Sequence, residues 1–267
     1  MATTKKVTRV SGGTGSAPEK VTRTFVPTPE SKGRATQLRI IAVILWILGI
    51  AAEVGAIVVL IKSAKPFVTA TWIWMIGLIV VDLILVIIGS QLWKKANRLD
   101  PASKKEPVKF FLQSQLGVII SVIAFLPLVI LIFTNKDLDG KTKGILGGIA
   151  AIALLAAGLS SADFNPPSVE EYAEQTNRAV WLKGSDEVYW TKSGSVYHLY
   201  DDCSHINSVR TDEIFEGTVA QARELKKITN LCSRCEKRAI EERGLNEADY
   251  VPAATPVMDE AIPELTD

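Results

Sequence analysis

Four long apolar blocks, separated by polar stretches, occupy residues 40–162. The blocks cover 40–61, 67–93, 110–133 and 144–162; the first two contain one charged residue each and the last two contain none. About 20 apolar residues in an α-helix, at about 1.5 Å each, cross the roughly 30 Å of hydrocarbon in a bilayer. The pattern therefore predicts four transmembrane helices. The alternative, buried helices of a soluble protein, is disfavoured because such helices are usually shorter and rarely come four in a row.

Lysine and arginine residues collect on alternate flanks of these blocks. The segment up to residue 39 carries eight basic and two acidic residues, and the loop 94–109 carries six basic residues. The two opposite linkers, 62–66 and 135–143, carry only two and three. Because Lys and Arg are enriched in cytoplasmic loops of membrane proteins, the pattern predicts a multi-pass protein of the cell membrane with both termini in the cytoplasm.

Both ends of the chain have compositions typical of disordered segments. Residues 1–39 are basic and rich in Thr, Ser, Gly and Pro, whereas residues 246–267 contain six acidic residues and no Lys or Arg. Segments with so few large apolar side chains cannot bury enough surface to offset the entropy lost on ordering. We therefore expect a basic N-terminal tail and an acidic C-terminal tail, both disordered.

A linker at 163–183 follows the fourth apolar block. The proline pair that begins at Pro166 stops any continuation of the fourth helix. Ser168 and Glu171 then have the spacing of a capping box, which predicts a cytosolic helix over about 169–182. This helix separates the membrane domain from the remaining C-terminal residues.

All histidines and cysteines of the chain lie in one C-terminal window, in the segments "VYHLYDDCSHI" and "LCSRC". The stretch "EVYWTKSGSVYHLY" alternates apolar and polar residues around "KSGS", which predicts a β-hairpin with His198 near the end of its second strand. "GTVAQARELKKI" predicts a helix capped by Thr218, and the CxxC turn leads into a second helix. We therefore expect a small cytosolic α+β module over 184–245, so that the fold class is an α-helical integral membrane protein with a small cytosolic α+β zinc-binding module.

Three cysteines and one histidine in this module match the ligand set of a structural zinc site. A CxxC turn presents Cys232 and Cys235 to one centre, and a hairpin beside it can supply His198 and Cys203. Free buried thiols and a redox dithiol are the alternatives, but an odd number of thiols in the cytosol fits poorly with disulfides. His205 is the rival nitrogen ligand; we favour the histidine at position 198 because a strand end fixes its direction better than a turn.

The composition of this site indicates a structural rather than a catalytic metal. Catalytic zinc usually has three protein ligands and an open position for water, whereas a Cys3His site is closed. The deaminase pattern is absent, because Tyr200 stands where its glutamate would be and Leu231 precedes the CxxC turn. The metalloprotease pattern HExxH is also absent.

The segments "VYWTKSGSVYHLYDDCSHI" and "GTVAQARELKKITNLCSRC" together resemble a small bacterial zinc-binding module with a Tyr-His, Cys and CxxC pattern. That module occurs at the ends of otherwise unrelated membrane proteins and nucleases. The resemblance covers about 50 residues and none of the apolar blocks. It implies that the four ligands fall on His198, Cys203, Cys232 and Cys235, and it implies metal binding without implying an activity.

Two acidic residues, Glu53 and Asp82, lie inside the first and second apolar blocks, and no Lys or Arg lies within the blocks to pair with them. A charged side chain at the bilayer centre costs several kcal/mol, so such residues are candidates for function. One interpretation is a proton or cation site, the other a protonated acid hydrogen-bonded to a neighbouring helix. In either interpretation, polar partners for the two acids are available at Gln113, Ser114 and Gln115.

Three functions follow from these observations. The first is a non-enzymatic integral membrane protein whose cytosolic zinc module binds a protein partner. The second is a small proton- or cation-linked transporter or channel that uses Glu53 and Asp82. The third, membrane-tethered nucleic-acid binding, is the least favoured because residues 184–245 contain eleven acidic and nine basic residues, a poor electrostatic match to phosphate. Its basic face would consist of Arg223, Lys226, Lys227, Arg234, Lys237, Arg238 and Arg243.

Overall fold

The computed structural model describes residues 6–9, 25–27, 29–226 and 228–252. The chain divides into a helical unit, Pro27–Ser168, and a second unit formed by Met1–Val26 with Val169–Asp267. Most of the predicted basic tail, and the predicted acidic tail from residue 253 onwards, lie outside the described residues.

Four long apolar helices form the helical unit, and each is long and apolar enough to cross a membrane. The last of them has 22 residues, which at about 1.5 Å per residue is enough for about 30 Å of hydrocarbon. Between 28% and 33% of the most apolar window of each helix is buried, so most of its apolar side chains face outward, as expected of a bundle surrounded by lipid. The helices are α1 (Pro29–Lys62), α2 (Thr69–Leu99), α3 (Pro107–Thr134) and α4 (Gly140–Ser161).

The first two helices extend beyond the apolar blocks that predict them. Helix α1 starts at Pro29, inside the stretch expected to be disordered, and α2 continues to Leu99. These polar ends contact each other: Arg39 Nη1 donates to Asp100 Oδ2 at 2.7 Å, and Ala35 is buried in a small cluster with the end of α2. The extension therefore comes from a tertiary contact that hydropathy alone does not reveal.

Glycine residues allow α1 and α2 to approach closely. A Cβ atom at Gly89 would lie 2.7 Å from Trp46 Nε1, and one at Gly49 would lie 2.7 Å from Asp82 Oδ1. The Trp46 indole N–H donates to the Val86 carbonyl at 3.4 Å. Small residues of this kind are typical of helix contacts in membranes, where van der Waals contact drives association.

In its described residues, the second unit contains two small sheets and three α-helices. The strands are β1 (Lys6–Arg9), β2 (Glu187–Thr191), β3 (Val196–Tyr197), β4 (Glu213–Thr218) and β5 (Asn230–Leu231). In the first sheet the strand order is β1-β4-β2, with β1 parallel and β2 antiparallel to the central strand, and in the second sheet β3 pairs with β5 in parallel. The helices are α5 (Val169–Lys183), α6 (Val219–Lys226) and α7 (Ser233–Arg243), and a short 3-10 helix follows at Glu247–Asp249.

Two local predictions for this unit agree with its structure, and one is corrected: the two predicted hairpin strands, β2 and β3, belong to different sheets and, within the described residues, are joined only by the bridge between Tyr189 and His198. Helix α5 covers the expected linker helix. Helix α6 begins with a reciprocal capping box, in which the Gln221 N–H donates to Thr218 Oγ1 at 3.2 Å and the Thr218 N–H donates to Gln221 Oε1 at 2.8 Å. One apolar core, which includes Trp190, Tyr197 and all three cysteines, joins the strands to the helices.

Candidate metal centre

A single antiparallel bridge to β2, in place of the predicted two-stranded hairpin, fixes the position of His198. Strand β3 ends at Tyr197, and the next residue pairs with Tyr189 of β2 through two backbone hydrogen bonds of 2.7 Å. The His198 side chain is only 3% exposed. Both the backbone pairing and the burial hold this imidazole in one direction, inside the core of the module.

Cys203 lies in a tight turn that follows the hairpin. Its carbonyl accepts hydrogen bonds from the N–H groups of Ile206 at 2.9 Å and Asn207 at 2.7 Å, and its own N–H donates to the Tyr200 carbonyl at 3.3 Å. The turn directs the thiol inward, where it is buried.

The CxxC cysteines are positioned by a strand and a helix end. The register of the β3–β5 pair sets Tyr197 beside Leu231, and the Cys232 N–H donates to the Tyr197 carbonyl at 2.9 Å. Cys232 is the N-cap residue of α7, and Cys235 lies in its first turn. The N–H groups at a helix start favour negative charge nearby, so this position suits thiolates.

The four predicted ligands come together in space. The ligand atoms of His198, Cys203, Cys232 and Cys235 all lie within 4.8 Å of one another, and all four residues are buried. In a tetrahedral site with Zn–S of about 2.3 Å and Zn–N of about 2.0–2.1 Å, nitrogen and sulfur ligands lie about 3.6 Å apart. The distance from His198 Nδ1 to Cys235 Sγ is 3.7 Å. This donor set is therefore close enough to hold a metal ion, and Nδ1 is the ring nitrogen that faces it.

The rival histidine lies outside this group. His205 is exposed, and its Nδ1 lies 3.4 Å from Cys232 Sγ. Its ring stands edge-on to that of His198, with 6.3 Å between ring centroids. With a proton on Nδ1, His205 can donate a hydrogen bond to the Cys232 sulfur. Residues next to a metal site commonly hydrogen-bond to a ligand in this way and so orient it.

Burial controls the protonation of the donor groups. It lowers the pKa of His198 to about 4, with a smaller contribution from the charge of His205, and so keeps this imidazole neutral, as ligation requires. Burial also raises the pKa of the Cys235 thiol to about 12, while the Leu199 N–H, which donates to its sulfur, lowers that pKa. A bound metal cation would instead lower the pKa of this thiol, because a thiol that coordinates a metal is deprotonated outright.

A cavity of about 200 Å³ lies beside Cys203 and Cys235. Arg238 lines it, donates to Asp202 Oδ1 at 2.6 Å and to Glu242 Oε1 at 2.7 Å, and stacks 4.0 Å from the centroid of the Tyr200 ring. The sequence predicts Arg238 only as part of a basic face. The one local pattern that points to its contact with Glu242 is their i,i+4 spacing.

Two arginines of the predicted basic face bind other residues of the second unit. Arg223 is 3% exposed, stacks 3.7 Å from the centroid of the Tyr172 ring and donates to Gln175 Oε1 at 2.8 Å. Arg238 is held by two carboxylates, as described above. Lys227 lies outside the described residues.

The two intramembrane acids are buried in the bundle. Glu53 is 4% and Asp82 is 1% exposed. The Leu128 N–H, which follows Pro127 inside α3, donates to Glu53 Oε1 at 3.3 Å. Within the described part of the chain, Asp82 Oδ1 has no hydrogen-bond partner. The other polar residues predicted as partners bind elsewhere: the side chains of Gln113, Ser114 and Gln115 donate to the carbonyls of Asp100, Phe111 and Asp163.

No known protein family, curated protein or solved structure matches this chain. The resemblance of the C-terminal window to a bacterial zinc-binding module therefore stays a prediction from its motifs, and function has to be argued from the geometry of the site.

Proposed function

We propose that this chain is a non-enzymatic integral membrane protein whose cytosolic module holds one structural Zn²⁺ ion and binds a protein partner. The observation that carries the proposal is the convergence of four buried ligand atoms within 4.8 Å in a unit with very short strands. Such a unit gains most of its stability from closing a metal site.

Zinc is the metal that best suits these donors. Thiolate and imidazole ligands in a tetrahedral arrangement are typical of zinc, whereas Mg²⁺ and Ca²⁺ prefer oxygen ligands. A Cys3His set also fills all four positions and leaves none for water or substrate. These considerations support a structural ion, and with it a module that acts by binding.

Two independent features support a cytoplasmic location for both termini. The first is the excess of Lys and Arg before α1 and between α2 and α3. The second is the pairing of Lys6–Arg9, which precede all four apolar helices, with β4, which follows them. Two strands of one sheet must lie in one compartment, so an even number of membrane crossings must separate them.

Metal analysis of the purified full-length protein tests the zinc proposal. We expect one zinc per chain in the wild type, none in Cys232→Ser, and one in Ser204→Ala, a control in the same region that removes no ligand. The proposal would be contradicted if the wild-type protein, purified in the presence of zinc, were folded and contained no metal.

Reporter fusions test the topology. A reporter that is active only in the cytoplasm should be active when fused after Gly33 and also after Asn246. An active N-terminal fusion combined with an inactive C-terminal one would mean that one of the four helices does not cross.

The partner is tested by comparing proteins that copurify with the wild type and with Cys232→Ser. A partner of the module should be present in a fixed molar ratio with the wild type and be absent from the variant. A partner retained by both proteins would bind elsewhere, and the zinc module would then not be its docking site.

A second candidate function, a proton- or cation-linked transporter or channel, is supported by one specific observation. Asp82 is 1% exposed and its Oδ1 has no hydrogen-bond partner in the described part of the chain. A buried carboxyl oxygen without a partner is costly, and a bound proton or cation would offset that cost. Glu53, on the neighbouring helix, is the second carboxylate available to such a site.

Ion flux in proteoliposomes tests this candidate. Wild-type protein should dissipate an imposed pH or cation gradient, and the double variant Glu53→Gln with Asp82→Asn should not. Glu106→Gln, which changes an exposed acid outside the bundle, serves as the matched control. Equal flux with the wild type and the double variant would exclude the two carboxylates from transport.

A further inference from the structure

A groove of about 700 Å³ opens at one end of the helical unit and is lined by residues of α1, α2 and α3. These residues lie where the polar loops meet the apolar blocks. Arg39 directly precedes the first block, Trp93 ends the second, and Lys109 directly precedes the third. The groove therefore lies at the boundary between the polar end of the bundle and its apolar sides.

One wall of the groove is apolar and belongs to α3. Leu112 and Leu116 follow Lys109 by three and seven positions, a spacing that places all three side chains on one face of the helix. At about 1.5 Å per residue, Leu116 lies about 10 Å further along the helix than Lys109. Leu112 is 47% exposed. An open apolar strip thus runs from a basic residue into the apolar part of α3.

The polar end of the groove contains two bases that have unused donors. Arg39 donates from Nη1 to Asp100 Oδ2 at 2.7 Å and from Nη2 to the Asp100 carbonyl at 2.8 Å, while its Nε has no hydrogen-bond partner in the described part of the chain. Lys109 Nζ lies 2.8 Å from Glu106 Oε2, and its side chain is 66% exposed. Because a guanidinium has five N–H donors and an ammonium three, both bases can bind a further acceptor.

Basic residues also outnumber acidic ones around the groove. The loop 94–109 contains six basic and two acidic residues, and residues 29–39 contain three basic and one acidic residue. The carboxylates that contact the two bases, Asp100 and Glu106, are included in these numbers. A surplus of positive charge next to a membrane attracts anionic headgroups, so the charge of this end favours an anionic ligand over a neutral one.

The two parts of the groove require a ligand that combines an anion with a hydrocarbon chain. A small anion would bind the bases and leave the apolar wall bare, and an uncharged hydrocarbon would leave the bases without an acceptor. A phospholipid has both parts. Guanidinium and ammonium groups commonly bind phosphate, and the indole ring of Trp93 lies at the boundary, where such rings are enriched in membrane proteins.

We propose that this groove is a binding site for one anionic phospholipid. The Arg39 guanidinium and the Lys109 ammonium bind its phosphate, and one of its acyl chains lies against Leu112 and Leu116. The inference goes beyond the proposed function and rests on it in one respect, that the helices cross a membrane. The zinc module takes no part in it, so failure of the zinc proposal leaves the lipid site unaffected.

Native mass spectrometry of the full-length protein, purified in detergent, tests the site. The probes are phosphatidylglycerol and phosphatidylcholine with identical acyl chains. We expect one tightly held phosphatidylglycerol per chain, bound at least about fivefold more tightly than phosphatidylcholine, which is the factor that one basic residue near the membrane surface contributes. Glycerol phosphate in large excess should not displace the lipid, because it has no acyl chain.

Single substitutions test the two parts of the groove separately. Lys109→Gln should weaken phosphatidylglycerol binding by about fivefold and leave phosphatidylcholine binding nearly unchanged, whereas Leu112→Asn, which places an amide in the apolar wall, should weaken the binding of both lipids. Lys141→Gln, which changes an exposed base at the opposite end of the bundle, is the matched control and should change neither. Thermal unfolding without added lipid should be the same for all four proteins.

The outcomes distinguish failure of the site from failure of the membrane assignment. If alkaline carbonate removes the wild-type protein from the membrane fraction, the membrane assignment is wrong, and the lipid site with it. If the protein is inserted but binds both lipids equally, or keeps its preference in Lys109→Gln, only this inference is overturned. Displacement by glycerol phosphate would mean that the two bases form a site for a soluble phosphate and not for a lipid.

Discussion

Helices of 22 to 34 residues build the helical unit, whereas two strands of the second unit, β3 and β5, are two residues long. Helices satisfy their backbone hydrogen bonds internally, and in a membrane they would need only close contact with one another. The short strands cannot hold a fold by pairing alone. We therefore expect one chain to combine a unit stabilised by contact between helices with a unit that, under the proposed function, depends on a closed metal site.

The cores of the two units differ in the same way. The main buried apolar cluster of the bundle consists of aliphatic side chains with one phenylalanine and one methionine, whereas the core of the module also contains Cys203, Cys232 and Cys235. Losing one buried contact from the bundle removes one contribution among many. Under the proposed function, losing one of the four ligands would remove the site that connects the segment around His198, the turn at Cys203 and helix α7.

The largest expected effect is therefore on the module alone. Cys232→Ser should abolish metal binding and unfold the module, because structural zinc contributes about 10 kcal/mol or more of apparent binding free energy. The four long helices should remain. Metal analysis together with limited proteolysis measures this: relative to the wild type, new cleavage is expected after residue 183 and no new cleavage within 40–162. Loss of the bundle as well would show that the two units are not independent.

The next effect separates the two histidines. His198→Ala should weaken metal binding by more than about 100-fold, whereas His205→Ala, which removes a contact to one sulfur, should weaken it by about tenfold, the lower end of the range for an outer neighbour of a metal site. Competition with a zinc chelator, monitored on the full-length proteins, gives both values. The reverse ranking would mean that His205 is the nitrogen ligand.

A change within the bundle should have a smaller effect and spare the metal. Gly89→Ala brings a methyl group against Trp46, where it would lie 2.7 Å from Nε1, and overpacking of this kind costs about 1–3 kcal/mol. Gly77→Ala in the same helix meets nothing within 4 Å and serves as the control. Thermal unfolding in detergent should rank Gly89→Ala as the less stable, with equal zinc content; equal stability would contradict the close contact of α1 and α2.

The smallest effect concerns a helix cap in the module. Thr218→Ala removes the hydroxyl that accepts from the Gln221 N–H, which should cost about 1 kcal/mol. Thr218→Ser keeps the hydroxyl and should be nearly neutral. Chelator-induced unfolding of the module should begin at lower chelator concentration for the alanine variant only. The same shift in both variants would mean that the methyl group, and not the cap, is responsible.

Sequence patterns predicted the features that local rules control. Apolar block length predicts four helices, and Thr218 directly before "VAQARELKKI" predicts a cap, although the reciprocal bond from Gln221 was not predicted. The crowding of His198 with the three cysteines predicts their meeting, because few folds bring a hairpin end and a CxxC turn together without a shared centre. The helices and the cap depend on residues that are close together in the chain. The Cys3His group depends on the few side-chain types that bind zinc.

Features set by contacts between distant residues were missed. Helix α1 begins at Pro29, before its apolar block, and this extension packs Ala35 against the end of α2 and lets Arg39 bind Asp100, which lies 61 positions away. Strand β1 forms in a segment of low apolar content because β4, about 200 residues later, supplies its backbone partner. Neither contact leaves a periodic pattern in the local sequence, so hydropathy and composition alone predicted disorder there.

X-ray absorption at the zinc edge, recorded on the full-length protein, tests the central claim most directly. The account predicts three sulfur neighbours at about 2.3 Å and one nitrogen at about 2.0–2.1 Å, with no oxygen neighbour, and the nitrogen should persist in His205→Ala. A spectrum with a water-like oxygen in place of one protein ligand, or with a nitrogen that disappears in His205→Ala, would contradict a closed site on His198, Cys203, Cys232 and Cys235.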